Sequence, residues 1–294
     1  MKKNSFLILM IFIFSLNLRI NAQDNLLSLV GEDKPKKEFV DYAFKSSRVI
    51  MSQSLEIIRP GVMDLRILHR FGNINGGAYE FFGLDKATMR LGFDFGLTKN
   101  LMIGIGRSTN KKELDGFFKY RIIHQAKNGG LPFSLLIMGG SSMNTLKFTD
   151  TSRKNYFSSR MAYYGQVIIG SKISEGFSIQ FMPTVVHRNL VPTFVDPNDM
   201  FAVGVGGRIK LSRRISFNAD YYYRINPNPG DGTQNPLSIG FDIETGGHVF
   251  QLHFTNAVGM NEKVFLTETT NNWSKGDIQF GFNISRSFQI KKKK

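Results

Sequence analysis

The chain has no cysteine. Without disulfides it cannot be a small stapled exported domain, so a sheet or a packed core has to hold it together. The same absence rules out a lipid anchor on an N-terminal thiol. Beyond residue 22 no uninterrupted apolar run reaches about 18 residues, so no spanning helix is expected. Any passage through a bilayer must then be made by closed strands. No Pro-, Gly- or Ser-rich linker divides the sequence, and one domain behind a short arm is the expectation. Histidine is scarce, at five in 294 residues.

What is present begins with MKKNSFLILMIFIFSLNLRINA. Two lysines, an apolar stretch and the small residue Ala22 before Gln23 describe a secretory signal at 1–22, cleaved after Ala22. Its apolar run of about 12 residues is too short to be retained as a span, and Asn17 and Arg19 interrupt it. Removing Lys2, Lys3 and Arg19 lowers the net charge from +15 to +12. Part of that surplus sits in the basic tail 291–294. An exported chain of this kind is expected to meet anionic outer-membrane lipid rather than nucleic acid.

The dominant pattern has period two. Met89, Leu91, Phe93, Phe95 and Leu97 alternate with Arg90, Gly92, Asp94 and Gly96. Ile278, Phe280, Phe282 and Ile284 do the same, as do Leu237, Ile239, Phe241 and Ile243, and Phe201, Val203 and Val205. Applied throughout, the test predicts about twelve strands: 62–71, 87–97, 100–108, 113–125, 132–143, 159–172, 176–187, 200–212, 214–225, 236–244, 247–257 and 277–290. Short turns alternate with long connections, as in bacterial outer-membrane barrels with short periplasmic turns and long external loops. The expectation is an all-β chain, a single closed antiparallel transmembrane β-barrel over 61–290. Tyr120, Tyr163, Tyr221, Tyr223 and Phe288 fall on the apolar face, where interfacial aromatic girdles lie.

The other face carries the candidate lumen-lining residues: Asp64, Arg66, Arg90, Asp94, Lys119, Arg121, Arg208, Asp220, Arg224, Asp242, Glu244, Gln251 and His253. Cations slightly outnumber carboxylates among them. They read either as a mutually neutralising ladder or as the lining of a weakly anion-favouring pore.

The histidines offer little chemistry. In GGHVFQLHFTN, His248 shares a face with Phe250, Leu252 and Phe254, whereas His253 shares the other with Gln251 and Thr255, so the two cannot chelate one metal. His69, His124 and His187 fall on the outward parity near strand ends, where an amphipathic ring suits a headgroup interface. None has a serine two residues on along its own face, as a lipid-cleaving nucleophile pair would want. His187, Asp196 and Asp199 could gather at an external rim, but such acids are common in loops. Gly204, Gly206 and Gly207 have no following helix and make no phosphate cradle. No catalytic residue, cofactor or metal is expected.

FKSSRVIMSQSLE (44–56), GVMDLRILHRFG (61–72) and GGHVFQLHFTN together resemble the Bacteroidota membrane-bound β-barrel family of unknown function, over essentially the whole chain after the signal. The resemblance implies fold and location and brings no substrate. Where it would have Asn-Gly-His-Ser, this chain has Met51-Ser52-Gln53-Ser54, so a role tied to that histidine is not carried over.

The arm, 23–60, reads two ways: a periplasmic tail leading into an edge strand, or a segment folded back into the lumen. Two functions follow. The first is a passive channel or small-solute transport barrel in the outer membrane. The second is a non-conducting structural barrel that binds an envelope protein partner. A lipid-modifying enzyme is a distant third.

Overall fold

Residues whose side chains alternate between apolar and polar can satisfy both lipid and lumen only as strands whose last member pairs with the first. In the computed structural model twelve strands do this. The structure describes residues 37–149, 151–152, 154–227 and 232–291. The expected signal peptide, the arm before residue 37 and the tail from 292 lie outside the described residues.

The strands are β1 (Val62–Asn73), β2 (Ala87–Gly96), β3 (Leu101–Ser108), β4 (Leu114–Ile123), β5 (Ser134–Met143), β6 (Met161–Lys172), β7 (Phe177–Arg188), β8 (Asp199–Lys210), β9 (Ile215–Arg224), β10 (Leu237–Thr245), β11 (His248–Thr255) and β12 (Gln279–Gln289). Each pairs antiparallel with its sequence neighbours, and β1 pairs with β12 from Val62↔Gln289 onward, which closes the barrel. Every predicted strand exists, with its ends moved by two residues or fewer. No described helix is long and apolar enough to cross a membrane.

The rim where β1 begins and β12 ends, called here the terminal rim, carries the tight connections at 97–100, 173–176, 211–214 and 246–247, plus the longer 124–133. The opposite, loop rim carries 74–86, 144–160, 189–198, 225–236 and 256–278, with one short link at 109–113. Outward side chains such as Phe118, Phe181, Phe201, Phe241 and Leu252 are exposed, and their inward neighbours are buried.

Two irregularities matter. Between Gln166↔Thr184 and Ile169↔Phe181 the β6–β7 ladder lapses, where Pro183 has no N–H to give. In β4 a bulge between Arg121 and Ile123 adds a residue and reverses the parity beyond it. This corrects the expectation for His124. Instead of facing lipid, its Nε2 meets the Val40 carbonyl at 2.9 Å and its ring stacks on Phe39 at 4.7 Å.

Candidate functional site

The arm enters along the terminal rim. Phe39 bridges Ala126, and the Val40 amide donates to the Gln125 carbonyl at 2.9 Å. Tyr42 then takes a positive φ of 60°, and the chain turns into the barrel. Residues 47–54 form a tight hairpin. The Val49 amide donates to Ser52 O and the Ser54 amide to Ser47 O, both at 2.9 Å. The tip, Val49 to Gln53, is wholly buried. The chain leaves again through Leu55–Pro60, crossing β2 where a Cβ on Gly96 would lie 2.1 Å from the Arg59 carbonyl, so only glycine leaves room there.

A hairpin tip exposes backbone amides and carbonyls that need partners once water is gone. The barrel wall supplies them. One carboxylate oxygen of Asp220 accepts from the amides of Ile50 (3.2 Å), Met51 (2.9 Å) and Ser52 (2.9 Å) and from the Ser52 hydroxyl (2.8 Å). Lys119 Nζ donates to the carbonyls of Ser47 and Ser54, each at 3.1 Å. Gln180 donates to Gln53 O at 2.6 Å, Gln251 to Val49 O at 2.5 Å and Asn283 to Ile50 O at 3.2 Å. Arg208 holds Ala43 O at 3.1 Å, and Arg121 holds Leu55 O at 3.0 Å. Lys45 pairs with Glu244. Glu56 turns back to accept the Phe44 amide at 3.1 Å, and burial pushes its pKa up.

The loop rim contributes a second insertion. Part of the 256–278 connection folds inward, and its short helix α1 (Glu262–Thr267) is buried on all sides. Six residues are too few to be helical alone, so tertiary contacts must hold it. Asn261 caps it by accepting the Val264 amide at 3.0 Å and donates to Glu113 at 3.2 Å. Lys263 pairs with Glu113 at 3.0 Å and Glu268 at 2.5 Å, and Lys111 reaches Glu268 at 2.7 Å.

The two insertions meet inside. Arg48 of the hairpin lies 3.9 Å from Glu262 of α1, with both side chains all but inaccessible to water. Phe44, Val49, Met51 and Leu55 from the arm share one apolar cluster with Ala257, Phe265 and Leu266 from the loop. The wall side of that cluster includes Leu136, Met138, Tyr164, Ile168, Met182, Val186, Met200 and Tyr222. The Tyr222 ring sits 5.3 Å from Phe265 and occupies the space a side chain on Gly204 would need. The inner wall thus has an apolar sector drawn mainly from β5–β8, with Met102, Phe117 and Tyr222 beside it, and a set of ion pairs along β1–β4. On the charged side Arg66 pairs with Asp64 and Asp94 at 2.8 Å each, and Arg90 with Asp115 at 2.5 Å. Open space remains at the terminal rim, where two cavities of about 770 Å³ each flank the exiting segment Glu56–Pro60.

All thirteen residues singled out from the sequence lie on the inner face, eleven fully buried and Arg121 and Glu244 partly so. Lys119, Arg121, Arg208, Asp220, Glu244 and Gln251 grip the arm, as does Arg66 by donating to the Ser46 hydroxyl at 2.9 Å, while Asp64 and Asp94 pair with Arg66 and Arg90 pairs with Asp115. Asp242 accepts from Gln251 at 2.5 Å, and Arg224 donates to Thr233 O at 2.5 Å. His253 is buried on the face opposite His248. His187 pairs with Asp199 at 2.7 Å, whereas Asp196 is taken up by the Thr193 amide and hydroxyl, so the acid–histidine set of the loop rim does not assemble.

Sequence reasoning missed Gln180 and Asn283 as grips and the whole of α1. It also missed the apolar inner sector. The signal was there: β5 and β7 carry Leu136, Met138, Met182 and Val186 on the parity opposite to their lipid-facing residues, so both faces of these strands read apolar.

The sequence profile of a family described as a membrane bound beta barrel domain (DUF5777) matches residues 44–288. Among curated proteins none matches the chain. Among solved structures it is similar to the NanC porin, at 9% identity and a TM-score of 0.49, over 77% of this chain and 98% of that one. It is also similar to an outer membrane channel from Pseudomonas putida F1, at 9% identity and a TM-score of 0.44, over 79% and 97% of the two chains. Neither likeness bears on what this barrel does.

Proposed function

The chain belongs to the family of membrane-bound β-barrel domains, and from that premise we propose that it is an outer-membrane barrel closed at rest, a non-conducting envelope protein rather than an open pore. The observation that carries this reading is the contact of Arg48 with Glu262 at the centre of the lumen, where the hairpin from one rim meets α1 from the other. A solute crossing the barrel would have to displace both insertions and the apolar cluster they share. The tight turns at the terminal rim and the longer loops opposite support a periplasmic terminal rim and an external loop rim. An envelope protein partner would then meet the barrel at the exposed loops or at the start of the arm. Passive diffusion of a small solute, the first expectation from the alternating pattern, is the weaker reading for a lumen in this state.

Planar-bilayer recordings test it with four proteins: the full chain, a variant lacking residues 37–58, a variant with 259–276 replaced by a short polar turn, and the combination. Heat-modifiable migration establishes that each has closed its barrel. The full chain is expected to pass no steady current, each single variant little, and the double variant a sustained one. Steady conductance from the full chain would overturn the closed reading.

A further inference from the structure

One of the two cavities at the terminal rim has a composition that neither wall nor plug requires. It lies between the arm and the ends of β3 and β4, and holds about 770 Å³, within the usual range for a small-molecule site. Its body is apolar: the stacked pair Phe39–His124, with Tyr42, Ile57, Ile58 and Leu131. Phe39, Tyr42 and Leu131 are 46%, 57% and 48% exposed, a large share for apolar groups that a folded arm could have covered. Burial lowers the His124 pKa, so that ring serves as an apolar wall and not as a cation at neutral pH.

Its charges are unbalanced. Lys37, Arg59, Lys99 and Arg121 line it, against Asp41 and Glu56. Glu56 is already occupied by the Phe44 amide, and burial raises its pKa, which weakens its claim on these cations. Arg121 spends one nitrogen on Leu55 O, and among the described residues the Arg59 side chain has only the Tyr42 hydroxyl at 2.6 Å. Lys99, in the tight β2–β3 turn, has neither a hydrogen bond nor an ion pair among the described residues. Lys99 and Arg59 face solvent with no carboxylate paired to them among the described residues, and an apolar body beside such cations matches one ligand chemistry, an alkyl chain ending in an anion.

We propose that this cavity is a binding site for a single-chain anionic amphiphile, a long-chain alkyl carboxylate, whose chain lies along Phe39, Ile57, Ile58 and Leu131 and whose carboxylate meets Lys99 and Arg59. The site is distinct from the sealed lumen and goes beyond the closed-barrel reading. It depends on the arm being seated, because the arm supplies half of its wall. It does not depend on whether current flows.

The test uses the full-length protein in nanodiscs and a 16-carbon carboxylate carrying a chain-borne diazirine. After irradiation, mass spectrometry is expected to find the label on peptides covering 37–42, 57–60 and 122–131. Excess palmitate should remove it, whereas palmitate methyl ester, hexadecyltrimethylammonium and hexanoate should not. Lys99→Glu should cut the labelling at least tenfold, and Lys99→Arg should keep it. Label spread over the outward faces of the strands would mean bulk partitioning and would sink the proposal. So would competition by the ester, or labelling of Lys99→Glu equal to the parent. The competition series on the unaltered protein decides the matter even if a variant fails to assemble.

Discussion

A single carboxylate oxygen that accepts from three consecutive amides and a hydroxyl is a concentrated form of anchoring. Asp220 does this for Ile50, Met51 and Ser52 inside the barrel, where all four residues are buried. Charge-assisted hydrogen bonds are stronger than neutral ones, and deleting the acceptor strands the buried donors as well. Asp220→Ala should therefore loosen the hairpin by on the order of 3 kcal/mol, and Ser52→Ala, which removes one donor of the four, by about 1 kcal/mol. The chain has no cysteine, so a single one placed at Ile50 reports the opening through its rate of reaction with a small maleimide. In the Asp220→Ala background that rate should rise on the order of a hundredfold, and far less with Ser52→Ala. Equal rates in all backgrounds would mean that Asp220 does not anchor the hairpin.

At the scale of elements, the loop insertion has a charge lock outside the strands. Burial alone would raise the Glu268 pKa, but Lys263 and Lys111 outweigh it and hold the carboxyl below its ordinary 4.5. A depressed carboxylate stabilises the folded loop above its unfolded pKa and ceases to as pH falls through the folded value. Lys263 is raised above 10.5 by Glu268 and Glu113 despite burial, so its contribution is lost only as pH climbs through that raised value. The lock should hold from mildly acidic to mildly alkaline pH and release at either extreme. The only tryptophan, Trp273, lies in this loop with its indole N–H on Leu237 O at 3.1 Å, so its emission follows the release. A flat profile from pH 5 to 9 with a red shift below 4 is expected, and Glu268→Gln should abolish the acid step. Elements also differ in how legible they were. The strands could be read because lipid on one side and a filled lumen on the other impose period two on every residue. The hairpin was half legible: Phe44, Val49, Ile50 and Leu55 marked an apolar segment, but its partners sit 65 to 233 residues away, as with Ser54–Lys119 and Ile50–Asn283. Helix α1 was not legible, since six residues carry too little periodicity. His124 was misread because a bulge reverses parity without leaving a mark in composition.

At the scale of the whole molecule, the two rims should be chemically distinguishable. Phe194, on the 189–198 loop, is almost completely exposed, and Lys99 lies in a four-residue turn at the other rim. On intact cells an impermeant maleimide should label Phe194→Cys and spare Lys99→Cys until the outer membrane is permeabilised. The reverse pattern would invert the assigned orientation. The same geometry constrains how the barrel can be made. The hairpin is tied to β1 through Leu55–Gly61, and α1 is tied to β12 by the eleven positions 268–278. These two strands form the closing seam. Pairing of chain segments this far apart in sequence is intrinsically slow. Each stopper is thus attached to one of the two strands whose pairing is expected to come late. Closing the wall and filling the interior are then expected to be coupled, so that a barrel closed without its stoppers does not accumulate during assembly.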